Sequence, residues 1–201
     1  MAGGLAQAGL MPAATAQGPD ASAPPSCVLV FGHGRNLSDG QDGVNALWNE
    51  LNQSFNQRVA DVLQTQHPRV ISMVRPVQSR DLSVNVRQLL ARAAAEGCDR
   101  VVETTVFGEA DTEHLVLRLR LHALVRPPGP PRVDAELRIG PPLSTVQREL
   151  PLIERSVARV MSGELPRLLA TEIAPALLLP SAPPSAMQVS SAPAAGVPSG
   201  R

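Results

Sequence analysis

Two hydrophobic periodicities meet at a glycine in the stretch Leu82–Val125, and that junction constrains the fold more than any other part of the 201-residue chain. Before Gly97, apolar side chains recur at Leu82, Val86, Leu89, Leu90, Ala93 and Ala94. Steps of three and four put them on one face of a helix. Asp81 or Ser83 is placed to cap its start, by accepting from the free amides of the first turn. Gly97 falls where a left-handed residue ends a helix. The alanines let such a helix lie close to a sheet. Arg100–Phe107 follows at once as a strand. Leu115, Leu117, Leu119, Leu121, Ala123 and Val125 then alternate with Arg118, Arg120 and His122, a period of two with one face buried and one wet.

The chain before this junction reads as strand, loop and helix. Cys27–Phe31 is a continuous apolar run, as in a strand buried on both faces. Gly32–Gly43 is rich in Gly, Asn, Asp and Ser and forms a loop. From Val44 to Gln66 the residues Val44, Leu47, Trp48, Leu51, Phe55, Val59, Val62 and Leu63 predict one buried helical face. Asn45, Asn49, Gln53, Asn56 and Gln57 fall mostly on the other face, which is polar and nearly uncharged. Pro68 stops this helix, and Arg69–Val74 is a second strand. Two strand–helix–strand units in succession imply parallel pairing with right-handed crossovers.

Beyond Val125, Pro127–Pro131 reads as a turn. A return strand follows with Val133, Ala135, Leu137 and Ile139 inward and Asp134, Glu136 and Arg138 outward, opposite the arginines of the first arm. Pro141 and Pro142 are expected to break it, with Ser144–Leu150 pairing briefly at an edge. A last helix spans about 151–173, and Pro166, with Gly163 just before it, should kink or restart it. The expected fold is therefore α/β, of two or three layers around a mixed sheet. Its order is βαβαβββα, with three parallel strands followed by an antiparallel hairpin.

Composition narrows the function. Residues 27–179 hold nearly all the charge and the large apolar side chains and predict a single domain. They number about 150, enough for a sizeable core. Net charge is zero, every base but the histidines is Arg, and there are only four aromatic side chains, Phe31, Trp48, Phe55 and Phe107. Neither a basic face nor exposed stacking rings point to nucleic acid as a partner. No segment is long and apolar enough to span a membrane, which leaves peripheral membrane association open. Residues 1–26 read either as a disordered Ala/Pro-rich leader or as a signal-peptide remnant. The second reading places Ala14-Thr15-Ala16 as an A-x-A cleavage site before Gln17. Residues 180–201 form a Pro/Ala/Ser-rich tail expected to be disordered.

The segment Ala93–Leu121, AAAEGCDRVVETTVFGEADTEHLVLRLRL, resembles a signature of bacterial envelope domains. These include the amino-terminal domain of TolB, the penicillin-binding-protein activator LpoB and the periplasmic domain of the curli secretion lipoprotein CsgG. The matching positions are Gly97, Asp99, Val101, Val102 and Gly108. The resemblance implies a periplasmic or outer-membrane-associated domain that binds another envelope protein and carries no catalytic residues. Residues before Cys27 are Pro-Pro-Ser, not a lipobox, so the chain departs from the lipoproteins of that group.

Candidate sites are few. Cys27 begins the first strand and Cys98 just precedes the third. First and third strands of a doubly wound sheet are neighbours. The two cysteines are therefore expected to form a disulfide, with a Cα separation of roughly 4.4–6.8 Å; two buried free thiols are the alternative. Gly32-His33-Gly34-Arg35 follows the first strand, where α/β sheets bind ligands, and His33 and Arg35 form a ligand loop in this reading. The dinucleotide fingerprint fails there, because position 37 is Leu. His33, His67, His114 and His122 lack metal-ligand spacing, so no metal or cofactor is expected. No serine has a nucleophile-elbow context, and no catalytic residue is assigned. The leading reading is a protein-binding envelope adaptor, docking through the hairpin's outer face or the amide-rich face of the first helix. A small-ligand or nucleotide module built on Gly32–Asp42 stands second and an enzyme third. The partner's identity and the oligomeric state stay open.

Overall fold

A computed structural model of the chain describes residues 27–109, 112–126 and 137–178. The leader, the tail, the Pro127–Pro131 turn and Val133, Asp134, Ala135 and Glu136 lie outside these residues. The chain runs β1 (Cys27–His33), α1 (Asp42–Gln64), β2 (Val70–Arg75), α2 (Leu82–Glu96), β3 (Cys98–Glu109), β4 (His114–Val125), β5 (Arg138–Pro151), α3 (Glu154–Met161) and α4 (Glu164–Leu177). The five strands form one sheet in the order β2-β1-β3-β4-β5. β1 pairs in parallel with β2 and β3, and β3–β4–β5 is antiparallel.

The sheet has a core on each face. On one side, Leu51, Phe55, Val59 and Leu63 of α1 and Leu169 and Ile173 of α4 pack on Val28, Val30, Val102 and the four buried leucines of β4. Each fully buried side chain of this size contributes about 1.5–3 kcal/mol, so this layer supplies most of the driving force for folding. On the other side Leu89 and Ala93 of α2, together with Leu137 and the partly buried Leu124 and Ile139, form a smaller core with Cys27, Leu29, Phe31 and Val101. Three helices therefore cover one face and one helix half-covers the other. Among the described residues, no helix covers the outer face of β3, β4 and β5 beyond α2.

Asp81 caps α2, its carboxylate accepting from the amides of Ser83 and Val84. Gly97 ends the helix at φ 68°. Leu82, predicted to be buried, is 64% exposed because it lies in the first turn, beyond the sheet. The helix end at Gly163 also takes a left-handed conformation, φ 84°, separating α3 from α4. Pro166 then sits in the first turn of α4, where no intrahelical partner is lost, so it restarts the helix and does not kink it.

Two expectations are overturned. Asn45, Asn52 and Asn56 of α1, read as an outer polar face except for Asn52, are buried, whereas Val44 and Leu47 are 38% and 49% exposed. The amides point inward because they satisfy backbone and hydroxyl groups that the apolar residues could not. Asn45 exchanges two hydrogen bonds with the backbone of Ser38, and Asn52 donates to the carbonyl of Arg75. Asn56 donates to Thr104 Oγ1 at 2.9 Å and accepts from Ser72 Oγ at 2.6 Å. The first helix therefore offers no continuous amide surface to a partner; Gln53 and Gln57 remain exposed.

The second correction concerns the hairpin. Pro141 and Pro142 do not break β5, which runs unbroken from Arg138 to Pro151. It is a terminal strand of the sheet among the described residues, where an N–H missing on the outer side costs no ladder hydrogen bond, and register shifts near His122 accommodate the proline pair. Ser144–Leu150 is consequently the main partner of Leu121–Leu115. Arg118 and Arg120 lie opposite Gln147 and Thr145; the acidic residues expected opposite them, Asp134 and Glu136, lie outside the described residues.

Candidate functional site

Strand alternation places a polar group on the uncovered face. Phe31 and His33 of β1, Glu103, Thr105 and Phe107 of β3, and Arg118, Arg120 and His122 of β4 share the side that α2 leaves half-open. Glu103 is its hub. Its Oε1 lies 2.8 Å from His33 Nε2, and its Oε2 lies 3.7 Å from Arg120 and 3.8 Å from His122 Nε2. The other ring nitrogen of His122 is 2.9 Å from the carbonyl of Gly140. His122 and His33, in that order, hold the Glu103 carboxyl well below the usual carboxylate range, against the opposing effect of burial. Glu103 in turn raises the His122 imidazole, again against burial. A carboxylate held this firmly in its ionised form is a weak base near neutrality. Its role is to anchor cations.

Beside this hub lies an aromatic one. The guanidinium of Arg35 stands 4.7 Å from the Phe107 ring centroid and that of Arg118 stands 5.7 Å from it, both within cation–π range. Thr105, opposite Arg118 across the β3–β4 ladder, is fully buried. Its Oγ1 and the Nε of Arg118 have no hydrogen-bond partner.

The Gly32–Asp42 loop is built into the fold at several points. Asn36 both donates to and accepts from the backbone of Gly108, at 2.7 and 2.9 Å. Arg80 pairs with Asp39. At Gly34 an added Cβ would lie 2.2 Å from Val77 Cγ1 and 3.0 Å from its Cα, so glycine is required there for close approach. Between this loop and the start of α2 is an open cleft of about 410 Å³ lined by His33, Arg35, Ser79, Arg80 and Asn85, among others. His33 and Arg35 thus border one cleft, but each is already engaged, with Glu103 and with Phe107 respectively. The residues that sequence reading passed over are Glu103, Phe107 and the grouping of Arg118, Arg120 and His122 around them. Their shared parity on β3 and β4 was the available signal.

Cys27 and Cys98 are joined in a disulfide at the opposite end of β1 and β3, with Cα atoms 4.1 Å apart. That is just below the lower end of the expected range of roughly 4.4–6.8 Å. The pair is fixed by register, since Cys27 and Cys98 are direct partners across the two parallel strands.

Among the described residues no group of three or more His, Cys, Asp or Glu side chains is arranged to hold a metal ion. No helix among them is long and apolar enough to cross a membrane. No protein-family model matches the chain, and no curated protein sequence matches it. Solved structures with a similar arrangement include two PelC dodecamers from Paraburkholderia phytofirmans. The first is 13% identical, with a TM-score of 0.37 over 80% of this chain and 94% of that one. The second is 11% identical, with a TM-score of 0.37 over 76% and 87%. An uncharacterized protein is 14% identical, with a TM-score of 0.34 over 77% of this chain and 94% of its own. At these values the likeness transfers no activity, partner or assembly state to this chain.

Proposed function

We propose that the chain is a non-catalytic interaction module of the bacterial cell envelope. In this reading it is exported to the periplasm, associates with the outer membrane through other proteins, and docks a partner protein on the outer face of β3–β4–β5. Its fold, in this reading, is of the kind seen in envelope domains of the TolB amino-terminal type. The observation that carries the reading is the Cys27–Cys98 disulfide between adjacent parallel strands, because such bonds persist in oxidising compartments. The half-covered sheet supports the choice of surface. α2 packs on β1 and β3, while on the same side Arg118 and Arg120 of β4 are partly exposed and Thr145, Gln147 and Glu149 of β5 are exposed.

The test is fractionation of the natural full-length product, with mass determination of its mature amino terminus under reducing and non-reducing conditions. The expected result is periplasmic protein with both cysteines oxidised. Cytosolic protein with two free thiols would overturn the reading.

A second reading is a small-ligand or nucleotide-binding module, favoured by the cleft beside the Gly32–Asp42 loop. Asp39 neutralises Arg80 and Glu103 engages His33, so the cleft offers an anion less positive charge than its lining suggests. A thermal-shift series with nucleotides separates it from the first reading. A rise in melting temperature that disappears in Arg80→Gln would favour the cleft.

A further inference from the structure

Three guanidiniums gather on the half-covered face of the sheet. Among the described residues Arg35, Arg118 and Arg120 share that face with Glu103, which pairs with Arg120 and His33, and, farther along β3 and β5 on the same side, with Glu109 and Glu149. Neither Arg35 nor Arg118 has a carboxylate within ion-pair distance among the described residues. The Arg118 guanidinium is pulled below its ordinary value by burial first and by Arg120 next, with Arg35 adding to this and Glu103 opposing it. Like charges are thus held together at some cost, and Phe107 fixes two of the guanidiniums over one ring. The buried Nε of Arg118 and the buried hydroxyl of its cross-strand neighbour Thr105 are both left without partners. Both atoms are shielded from solvent, so an incoming acceptor meets the outer nitrogens of the Arg118 guanidinium and not these two.

We propose that this face, centred on Arg118 and flanked by Arg35 and Arg120, binds the carboxylates of an acidic segment of a partner protein. This rests on the interaction-module reading above and specifies the chemistry of its partner. Guanidinium forks match planar carboxylates with paired hydrogen bonds. Phe107 and the buried Val116 give the site an apolar floor suited to a peptide. The patch is small and the chain as a whole is neutral. A nucleic acid or an anionic bilayer would need a broader positive field.

The probe is a fluorescein-labelled oligoglutamate peptide titrated into the full-length oxidised protein at low ionic strength and followed by anisotropy. An oligoglutamine peptide and inorganic polyphosphate serve as comparisons. Oligoglutamate is expected to bind and oligoglutamine not to bind. Arg118→Gln and Arg35→Gln should each weaken binding about fivefold, as for the loss of one partly exposed ion pair, and Arg118→Lys should recover part of the loss. Glu103→Gln removes the competing carboxylate and should tighten binding severalfold. Arg58→Gln and Arg167→Gln, on exposed positions of α1 and α4, should change nothing. Arg35 lies in an exposed loop, so its variant keeps the test valid if Arg118→Gln fails to fold.

Absence of oligoglutamate binding, equal losses in the control variants, or polyphosphate binding as tightly through the same arginines would each overturn the proposal. A photo-crosslinker at Gln147, exposed and opposite Arg118, separates this from the broader reading when used in the native cell. A protein crosslinked there that is retained in Arg35→Gln and Arg118→Gln would leave the interaction module standing and sink the carboxylate site. Loss of both peptide binding and crosslinking in the unsubstituted protein would overturn both.

Discussion

Asn56 of α1 reaches through the core to Thr104 of β3, its amide nitrogen 2.9 Å from the threonine hydroxyl, while both residues are wholly shielded from solvent. The same amide accepts from Ser72 of β2, so one side chain ties a helix to the outer two members of the parallel triplet β2-β1-β3. Replacing Asn56 with Ala leaves Thr104 and Ser72 to find other partners in a dry site. A loss of about 2 kcal/mol is expected, read as a lower urea midpoint with an unchanged slope. Asn49→Ala, at a partly exposed position on the same helix, should cost less, since water can replace its contact with the amide of Val77.

The disulfide closes a segment 71 residues long. Chain entropy gives a crosslink of that span a stabilisation on the order of 4 kcal/mol. Chemical denaturation with and without a reductant should show a difference approaching this. The double variant Cys27→Ala and Cys98→Ala should resemble the reduced protein and be insensitive to the reductant.

Gly34 meets Val77 so closely that an added methyl group would strike both its side chain and its backbone. Gly34→Ala is therefore expected to displace the Gly32–Asp42 loop and to destabilise the domain by about 1–3 kcal/mol, the usual range for overpacking. Gly43→Ala is the useful comparison, because nothing lies near its missing Cβ and its φ is not left-handed. In the first turn of α1 that change should be neutral or slightly stabilising. Thermal unfolding of the two variants side by side checks the contrast.

The Glu103–His122 pair makes stability depend on pH at both ends. His122 is raised above its ordinary value of 6.5. Its contribution is complete below that value and is lost as pH rises through the higher folded-state value. Glu103 is lowered from 4.5, so its contribution is present above that value and lost as pH falls through the acid range. His122→Asn should flatten the decline that sets in as pH rises above 6.5 by about 1 kcal/mol, the scale of a partly exposed ion pair. Urea midpoints measured from about pH 5 to 8 in the two proteins decide this.

Much of the frame was readable because it rests on local or nearly local rules. The stop at Gly97, the cap at Asp81 and the parity of Leu115–Leu121 each depend on a few neighbouring residues. The cysteine bridge needed one further step, from strand order to adjacency. The inward amides of α1 were misread because helical periodicity ranks residues by hydrophobicity, and an Asn that satisfies a buried carbonyl looks the same in sequence as one that faces water. β5 was misjudged for a different reason. A proline forbids a strand interior but tolerates a sheet edge, and which strand would be the edge is a property of the whole sheet. The Glu103 cluster draws on β1, β3 and β4, and no spacing rule joins residues 33, 103 and 122.

Pro141 and Pro142 also bear on how this molecule meets others. A terminal strand ordinarily presents a ladder of free amides on which any extended peptide can lengthen the sheet. Successive residues of a strand aim their N–H groups to opposite sides, so this pair removes one donor from the outer edge, and the pairing behind it is irregular. A newcomer beside β5 finds a poor template, so recognition at this end of the molecule is left to side-chain chemistry, which discriminates among sequences as a backbone ladder does not.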